Sequence, residues 1–171
     1  MVPTLVIRDP KISKNDIILQ ESLPICEFIE EVYPGRRKLI PKDPIQRHQM
    51  RRLCEIINSN TQPVQNLSIL NEVGTRFGAE HRNPWGQWAV SRGLGFFDRA
   101  IATTKGKYCL GNTITLADVF LVSQLANAAR FEVDMAQFPN IVAVNENLKN
   151  IPEFKQAHPS AQPDAVPPPS K

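Results

Sequence analysis

Apolar residues recur with two different periods in this sequence, and the change of period divides it. Val2, Leu5, Val6 and Ile7 make a short β-branched and apolar run with a proline near its start, which predicts a strand over residues 2–7. Residues 8–16 are polar and turn-like, and residues 16–19 read as a second short strand. From Ser22 the period becomes helical. Ile25, Phe28, Ile29 and Val32 recur at i, i+3, i+4 and i+7, with Ser22 as the expected N-cap. Pro24 falls in the first turn, where no backbone N–H is needed, and Pro34 ends the run.

Beyond Pro34 no segment reads as a strand. Prolines and charges over residues 35–43 predict a linker, and Asp43-Pro44 starts a long helical pattern with Leu53, Ile56 and Ile57 on one side. Pro63 is expected to kink or break that helix. Asn83-Pro84 opens another, whose Trp85, Trp88, Phe96, Phe97 and Ile101 are expected to pack a helical bundle. Thr115 and Asp118 have the spacing of a capping box behind Ile114, a device that starts a helix and performs no chemistry. In that helix Val119, Val122, Ala126 and Ala129 share a face, and their small size predicts a buried central position. Pro139 opens a shorter helix with Ile141, Val144 and Leu148 at helical spacing. The proline-rich residues 158–171 are expected to be extended or disordered. The chain therefore reads as mainly α. Residues 1–34 form a small α/β beginning, 35–43 a linker, 44–157 an all-helical domain and 158–171 a tail.

Composition narrows the function classes. At 171 residues and 42% apolar content, the chain suits one domain, or one domain plus a fragment of another. No apolar run approaches the ~20 residues of a membrane span, and no charged segment leads into an apolar stretch as in a secretory signal. Twenty basic against seventeen acidic residues give a net charge of +3, too mild and dispersed for nucleic acid. The one basic cluster, Arg36-Arg37-Lys38, follows Pro34-Gly35 and reads as a solvated loop. Cys26, Cys54 and Cys109 form no CxxC pair, and their odd number argues against a disulfide framework and for a reducing, cytoplasmic setting. None has a histidine nearby in sequence, so buried, inert thiols are expected. His48, His81 and His158 are scattered and predict no metal site.

The run YCLGNTITLADVFL resembles the central-helix motif of soluble glutathione transferases. Together with QPVQNLS, NAARFEVD, FPNI and HPSAQPD, in that order along the chain, it resembles the zeta class, the family of maleylacetoacetate isomerases. The resemblance implies the remnant of a thioredoxin-like domain, two strands and a helix, followed by the all-helical transferase domain. It implies a cytoplasmic homodimer that uses glutathione as cofactor and a small dicarboxylate as substrate. In the family's reaction, maleylacetoacetate becomes fumarylacetoacetate, a step of tyrosine and phenylalanine breakdown. The glutathione thiolate adds to the alkene, the resulting single bond rotates, and elimination restores the trans alkene. A related activity removes halide from small haloacids.

The same resemblance assigns site residues. Val2, before a cis proline at Pro3, would pair through its backbone with the cysteine part of glutathione. Glu21-Ser22 matches the acidic-or-amide residue and serine that hold the γ-glutamyl end, although the zeta pattern more often has glutamine first. Read from the residues alone, Ser22 caps its helix. Gln62, Asn66, Leu67 and Ser68 match a helical-domain segment lining the same pocket, with Gln62 and Asn66 on one face at i, i+4. Arg130 matches an arginine for the substrate's carboxylate, and equally suits a surface arginine completing a helix dipole. The resemblance places Met1 midway through the thioredoxin-like domain, after a Ser-Ser-Cys-x-Trp-type catalytic motif that these residues lack. A shortened isoform or a shortened gene model, with little or no activity as written, is therefore expected. The rival reading is a non-catalytic helical module that dimerises or binds partners. The charged connection over residues 8–16 is longer than the family's tight turn and stands just ahead of Glu21-Ser22.

Overall fold

The structure, a computed structural model, describes residues 3–33 and 37–165. Val2 and Pro34-Gly35-Arg36 lie outside the described residues, as does the end of the tail from residue 166. Both strands form: β1 (Thr4–Ile7) and β2 (Ile17–Gln20) pair antiparallel, with Thr4 opposite Gln20 and Ile7 opposite Ile17. The long connection between them closes on itself. The Asp9 carbonyl accepts from the N–H groups of Ile12 and Ser13, its carboxylate from Lys11 N–H at 2.9 Å, and Arg8 pairs with Asp16 at 3.0 Å. The insertion thus leaves the register intact, and Glu21 follows β2 directly.

Helix α1 (Ser22–Val32) begins one residue earlier than the expected cap requires. Glu21 is the N-cap, Ser22 is the first helical residue, and no side chain caps this end. Glu21 has φ 71°, a left-handed conformation that strains a non-glycine residue. The linker is tied back onto α1. The Glu30 carboxylate accepts from the N–H groups of Leu39 and Ile40, both at 2.8 Å, and the Leu39 carbonyl accepts from Leu116 N–H at 3.1 Å.

Helix α2 (Pro44–Asn58) is capped by Asp43, which accepts from Gln46 N–H at 2.7 Å. The break comes before Pro63, which sits inside the first turn of a new short helix, α3 (Gln62–Gln65). Helix α4 (Leu67–Phe77) follows, capped by Asn66. Helix α5 (Arg82–Ile101) runs through the centre, with Val90, Leu94, Phe97 and Ile101 wholly buried. Its glycines permit close approach: a Cβ on Gly93 would lie 2.0 Å from the buried Thr61 hydroxyl. The aromatic expectation held for Phe97 and for half-buried Trp85, whose indole donates to the Val64 carbonyl at 3.0 Å. It failed for Trp88 and Phe96, which are 50% and 40% exposed under the guanidinium of Arg92.

Helix α6 (Leu116–Arg130) packs on α2, α5 and α7 (Pro139–Leu148). Its buried face is Ala117, Leu121, Gln124 and Ala128, one step around from the small-residue face predicted to be inside. Val119 and Val122 are half-buried, and Ala126 and Ala129 are exposed. Leu121 on that face is wholly buried, together with the small Ala117 and Ala128. In α7 Ile141, Val144 and Leu148 are wholly buried, as their spacing predicts. Asp98 of α5 receives the start of α7, accepting from Ile141 N–H at 2.9 Å. The helical domain closes with α8 (Pro152–Ala157), and the start of the tail, expected to be extended or disordered, forms a 3-10 turn at Pro159–Ala161.

The capping box at the head of α6 is present. Asp118, fully buried, accepts from Thr115 N–H at 2.8 Å, from the Thr115 hydroxyl at 3.2 Å and from Cys109 N–H at 2.9 Å. One side chain thus starts the central helix and anchors the loop that precedes it. Replacing Asp118 with alanine strands two buried N–H groups, and we expect a loss of about 3 kcal/mol in urea unfolding. A loss within ~0.5 kcal/mol would show the cap to be dispensable.

Candidate functional site

Ser22 and Gln62, far apart in sequence, line one cleft of about 230 Å³ between the start of α1 and the middle of α6. Ser123 and Asn127 add a hydroxyl and an amide from α6. Ser22 arrives through the strained turn at Glu21, whose carbonyl accepts from Ile25 N–H at 3.0 Å. Because no side chain caps α1, its first N–H groups and partial positive charge remain available at that end of the cleft. Glu21 itself is exposed.

The cleft floor is a device absent from the sequence reading. Gln65 and Gln124 are buried and exchange two hydrogen bonds, each Nε2 donating to the other's Oε1 at 3.0 Å. Gln65 also donates to Gln62, so the exposed amide is held from below. The residues are 59 apart, and only the packing of α3 on α6 brings them together.

The remaining expected glutathione residues divide differently. Asn66 has extended backbone between α3 and α4, so it does not share a helical face with Gln62. Its side chain accepts from Ser68 N–H at 3.2 Å and caps α4. Asn66, Leu67 and Ser68 are all exposed and do not line the cleft. Val2 lies outside the described residues.

Arg130 stands in the last turn of α6 with its guanidinium 5.4 Å from the Phe131 ring. It lines a broader, open ledge of about 910 Å³ with Ala126, Asn127, His158 and Asp164. Asn127 borders both the cleft and the ledge, so the two are continuous along α6. The small side chains placed inside by spacing alone form this shelf instead. An adjoining apolar cleft of about 190 Å³ lies between α1 and α6, lined by Cys26, Ile29, Tyr33, Leu39 and Val119, of which Cys26 and Val119 also border the Ser22–Gln62 cleft.

No thiol is set up as a nucleophile. Cys26 is half-buried, whereas Cys54 and Cys109 are buried. Burial, then the charge of Glu27, raises the Cys26 pKa. Burial first, with Cys26 and Glu55 nearby, pushes Cys54 up to about 12. Burial and the Asp118 carboxylate raise Cys109 as well. Among the described residues no group of histidine, cysteine and carboxylate side chains is arranged to hold a metal ion, and no helix is long and apolar enough to cross a membrane.

Residues 78–157 match the family model described as Glutathione S-transferase, C-terminal domain. The chain is 39% identical over 155 residues to the maleylacetoacetate isomerase of Rattus norvegicus, covering 91% of this chain and 69% of that protein. It is 36% identical over 159 residues to the maleylacetoacetate isomerase of Dictyostelium discoideum, covering 92% and 72%. Among solved structures, the maleylacetoacetate isomerase of Anaeromyxobacter dehalogenans, with dicarboxyethyl glutathione and citrate bound in its active site, superposes with a TM-score of 0.91 at 34% identity. That match covers 98% of this chain and 74% of the other.

Two outcomes follow from the buried groups. Raised pKa values leave little thiolate near neutrality, so iodoacetamide at about pH 7.5 should label none of the cysteines at the rate of a free thiol, and all of them in denaturant. Rapid labelling of Cys26 in the native protein would contradict this. Gln124→Leu alone should destabilise by about 2 kcal/mol, and the Gln65→Leu/Gln124→Leu pair by less than the single change, because neither buried amide is then left unpaired. Additive losses in a double-mutant cycle would argue against the pair.

Proposed function

Because this chain belongs to the zeta-class glutathione transferases, the maleylacetoacetate isomerase family, we propose that its α1–α6 cleft is a glutathione site and that the Arg130 ledge takes a small dicarboxylate such as maleylacetoacetate. The observation that carries this reading is the convergence of Ser22 and Gln62 on one cleft that runs into the Arg130 ledge at Asn127.

The donor set fits a zwitterionic peptide. The hydroxyl of Ser22 and the amides of Gln62 and Asn127 can donate to carboxylates and carbonyls without burying a charge, while Ser123, whose hydroxyl donates to the Phe120 carbonyl at 2.8 Å, offers only its oxygen as an acceptor. The open start of α1 favours an anion, and the Glu21 carboxylate beside it suits an ammonium group. When bound, glutathione supplies the sulfur nucleophile for cis–trans isomerisation. Arg130 meets the other reactant. Its planar guanidinium pairs with a carboxylate in two places, and packing over Phe131 leaves its N–H edges to the ledge.

Thiolate stabilisation is the step these residues serve least. The 171 residues contain no serine–cysteine pair, and the thiols present are raised in pKa. We therefore expect this chain alone to bind glutathione and to isomerise maleylacetoacetate slowly or not at all. A homodimer is proposed on the family relationship alone. The alternative, a non-catalytic interaction module, is favoured by the apolar cleft at Cys26, Ile29 and Tyr33.

Calorimetric titration of the chain with glutathione separates the two. Because Ser22 makes no capping bond, Ser22→Ala leaves the fold untouched and reports on binding alone. We expect saturable binding, weakened about ten-fold by Ser22→Ala and by Gln62→Ala. A folded protein with no heat of binding would remove the glutathione reading and leave the interaction module.

A further inference from the structure

The turn at the end of the Arg130 ledge is capped by His158, whose other ring nitrogen, Nε2, serves neither the fold nor the glutathione cleft. His158 Nδ1 accepts from Ser160 N–H at 3.2 Å and lies 2.7 Å from the Ser160 hydroxyl. A ring nitrogen that accepts a backbone N–H holds no proton, so the neutral imidazole carries its hydrogen on Nε2. The turn is fixed from the other side as well: Gln162 Nε2 donates to the carbonyls of Gln156 and His158, at 2.7 and 3.1 Å. No hydrogen bond or ion pair engages His158 Nε2 among the described residues.

His158 and Ser160 line the ledge together with Arg130. They also line the adjoining cleft of about 410 Å³, floored by Val122, Leu125 and Ala126 and flanked by Lys149 and Lys155. The apolar side chains of α6 thus share a lining with a guanidinium and an imidazole N–H donor. Asp164 is the one carboxylate on the ledge wall. A small dianion with an apolar middle matches that lining, and a monoanion leaves one of the two polar groups without its counterpart.

We propose that His158 is a positioning residue that receives the second carboxylate of the substrate through Nε2–H, while Arg130 holds the first. The turn thereby selects dicarboxylates over monocarboxylates. The proposal rests on the reading of the Arg130 ledge as the substrate site. It assigns His158 no part in the chemical step.

The test uses the full chain, titrated with maleate and with isocrotonate, which keeps the cis alkene and drops one carboxylate. Two variants split the roles of the ring. His158→Asn keeps an acceptor where Nδ1 stood and removes the donor at Nε2. His158→Gln places an amide donor near Nε2 and gives up the acceptor. We expect the unaltered chain to bind maleate about ten-fold more tightly than isocrotonate. His158→Asn should abolish that preference without weakening isocrotonate, His158→Gln should restore part of it, and Arg130→Gln should weaken both ligands. A merely structural histidine would give the opposite order, with Asn preserving and Gln losing the preference. If His158→Asn keeps the preference while Arg130→Gln weakens both ligands, the role of His158 is overturned and the substrate ledge stands. If Arg130→Gln has no effect, or maleate does not saturate the unaltered chain, the ledge reading and the His158 proposal fall together.

Discussion

The N–H groups of Thr115, at the head of the central helix, and of Cys109, in the loop before it, must find acceptors away from water, and the Asp118 carboxylate supplies them. A carboxylate at 0% exposure is tolerated only when its oxygens are filled, and here Thr115 and Cys109 fill them. The same bonds fix where α6 begins, and so which residues face the core and which face the clefts. Related devices hold the neighbouring elements. Asp98 receives the start of α7, and Glu30 receives the linker that in turn accepts from Leu116. Asp98 joins segments 43 residues apart, Glu30 and Asp118 segments within ten residues, so the bundle is tied at its helix ends as well as packed along its sides.

With its start fixed, α6 serves two environments. Ala117, Leu121, Gln124 and Ala128 face the core, and Val119, Val122, Ala126 and Ala129 form the shelf under the open clefts. Gln124 links the two, because its buried pair with Gln65 lies beneath the exposed amide of Gln62. A cleft built on a satisfied amide pair keeps its floor rigid, since moving either partner leaves a polar group unpaired in the interior. Ser22 reaches the cleft from the other side by way of a strained, left-handed Glu21. That conformation costs ~1–3 kcal/mol and sets a residue of the first helical turn at the cleft, where a cap position would not.

Local chemistry was legible before the fold was known. The two strands, α1, α2, α5 and α7, and the Thr115–Asp118 box follow from proline placement and period, because these depend on contacts a few residues long. The family resemblance was legible for the same reason, in motifs such as YCLGNTITLADVFL and NAARF. Among the inferences of equal local quality that failed, two concern helical faces. Gln62 and Asn66 have the spacing of one helical face, but an extended Asn66 ends α3 between them. The small-residue face of α6 has the right period for burial, but period fixes the angle between faces and not which of them meets α2 and α5.

Sequence therefore determined the kind and order of the elements, the caps that start them and the residue types available for binding. Tertiary structure decided which face of α6 is inside, which aromatics of α5 remain exposed, and that Ser22, Gln62, Asn127 and Arg130 border one continuous surface. The physical reason is range. Propensities and capping bonds act within a turn or two, whereas burial depends on which elements arrive opposite one another. The Gln65–Gln124 pair shows the difference: each glutamine is unremarkable in its own segment, and only the packing of α3 on α6 turns them into the floor of a site.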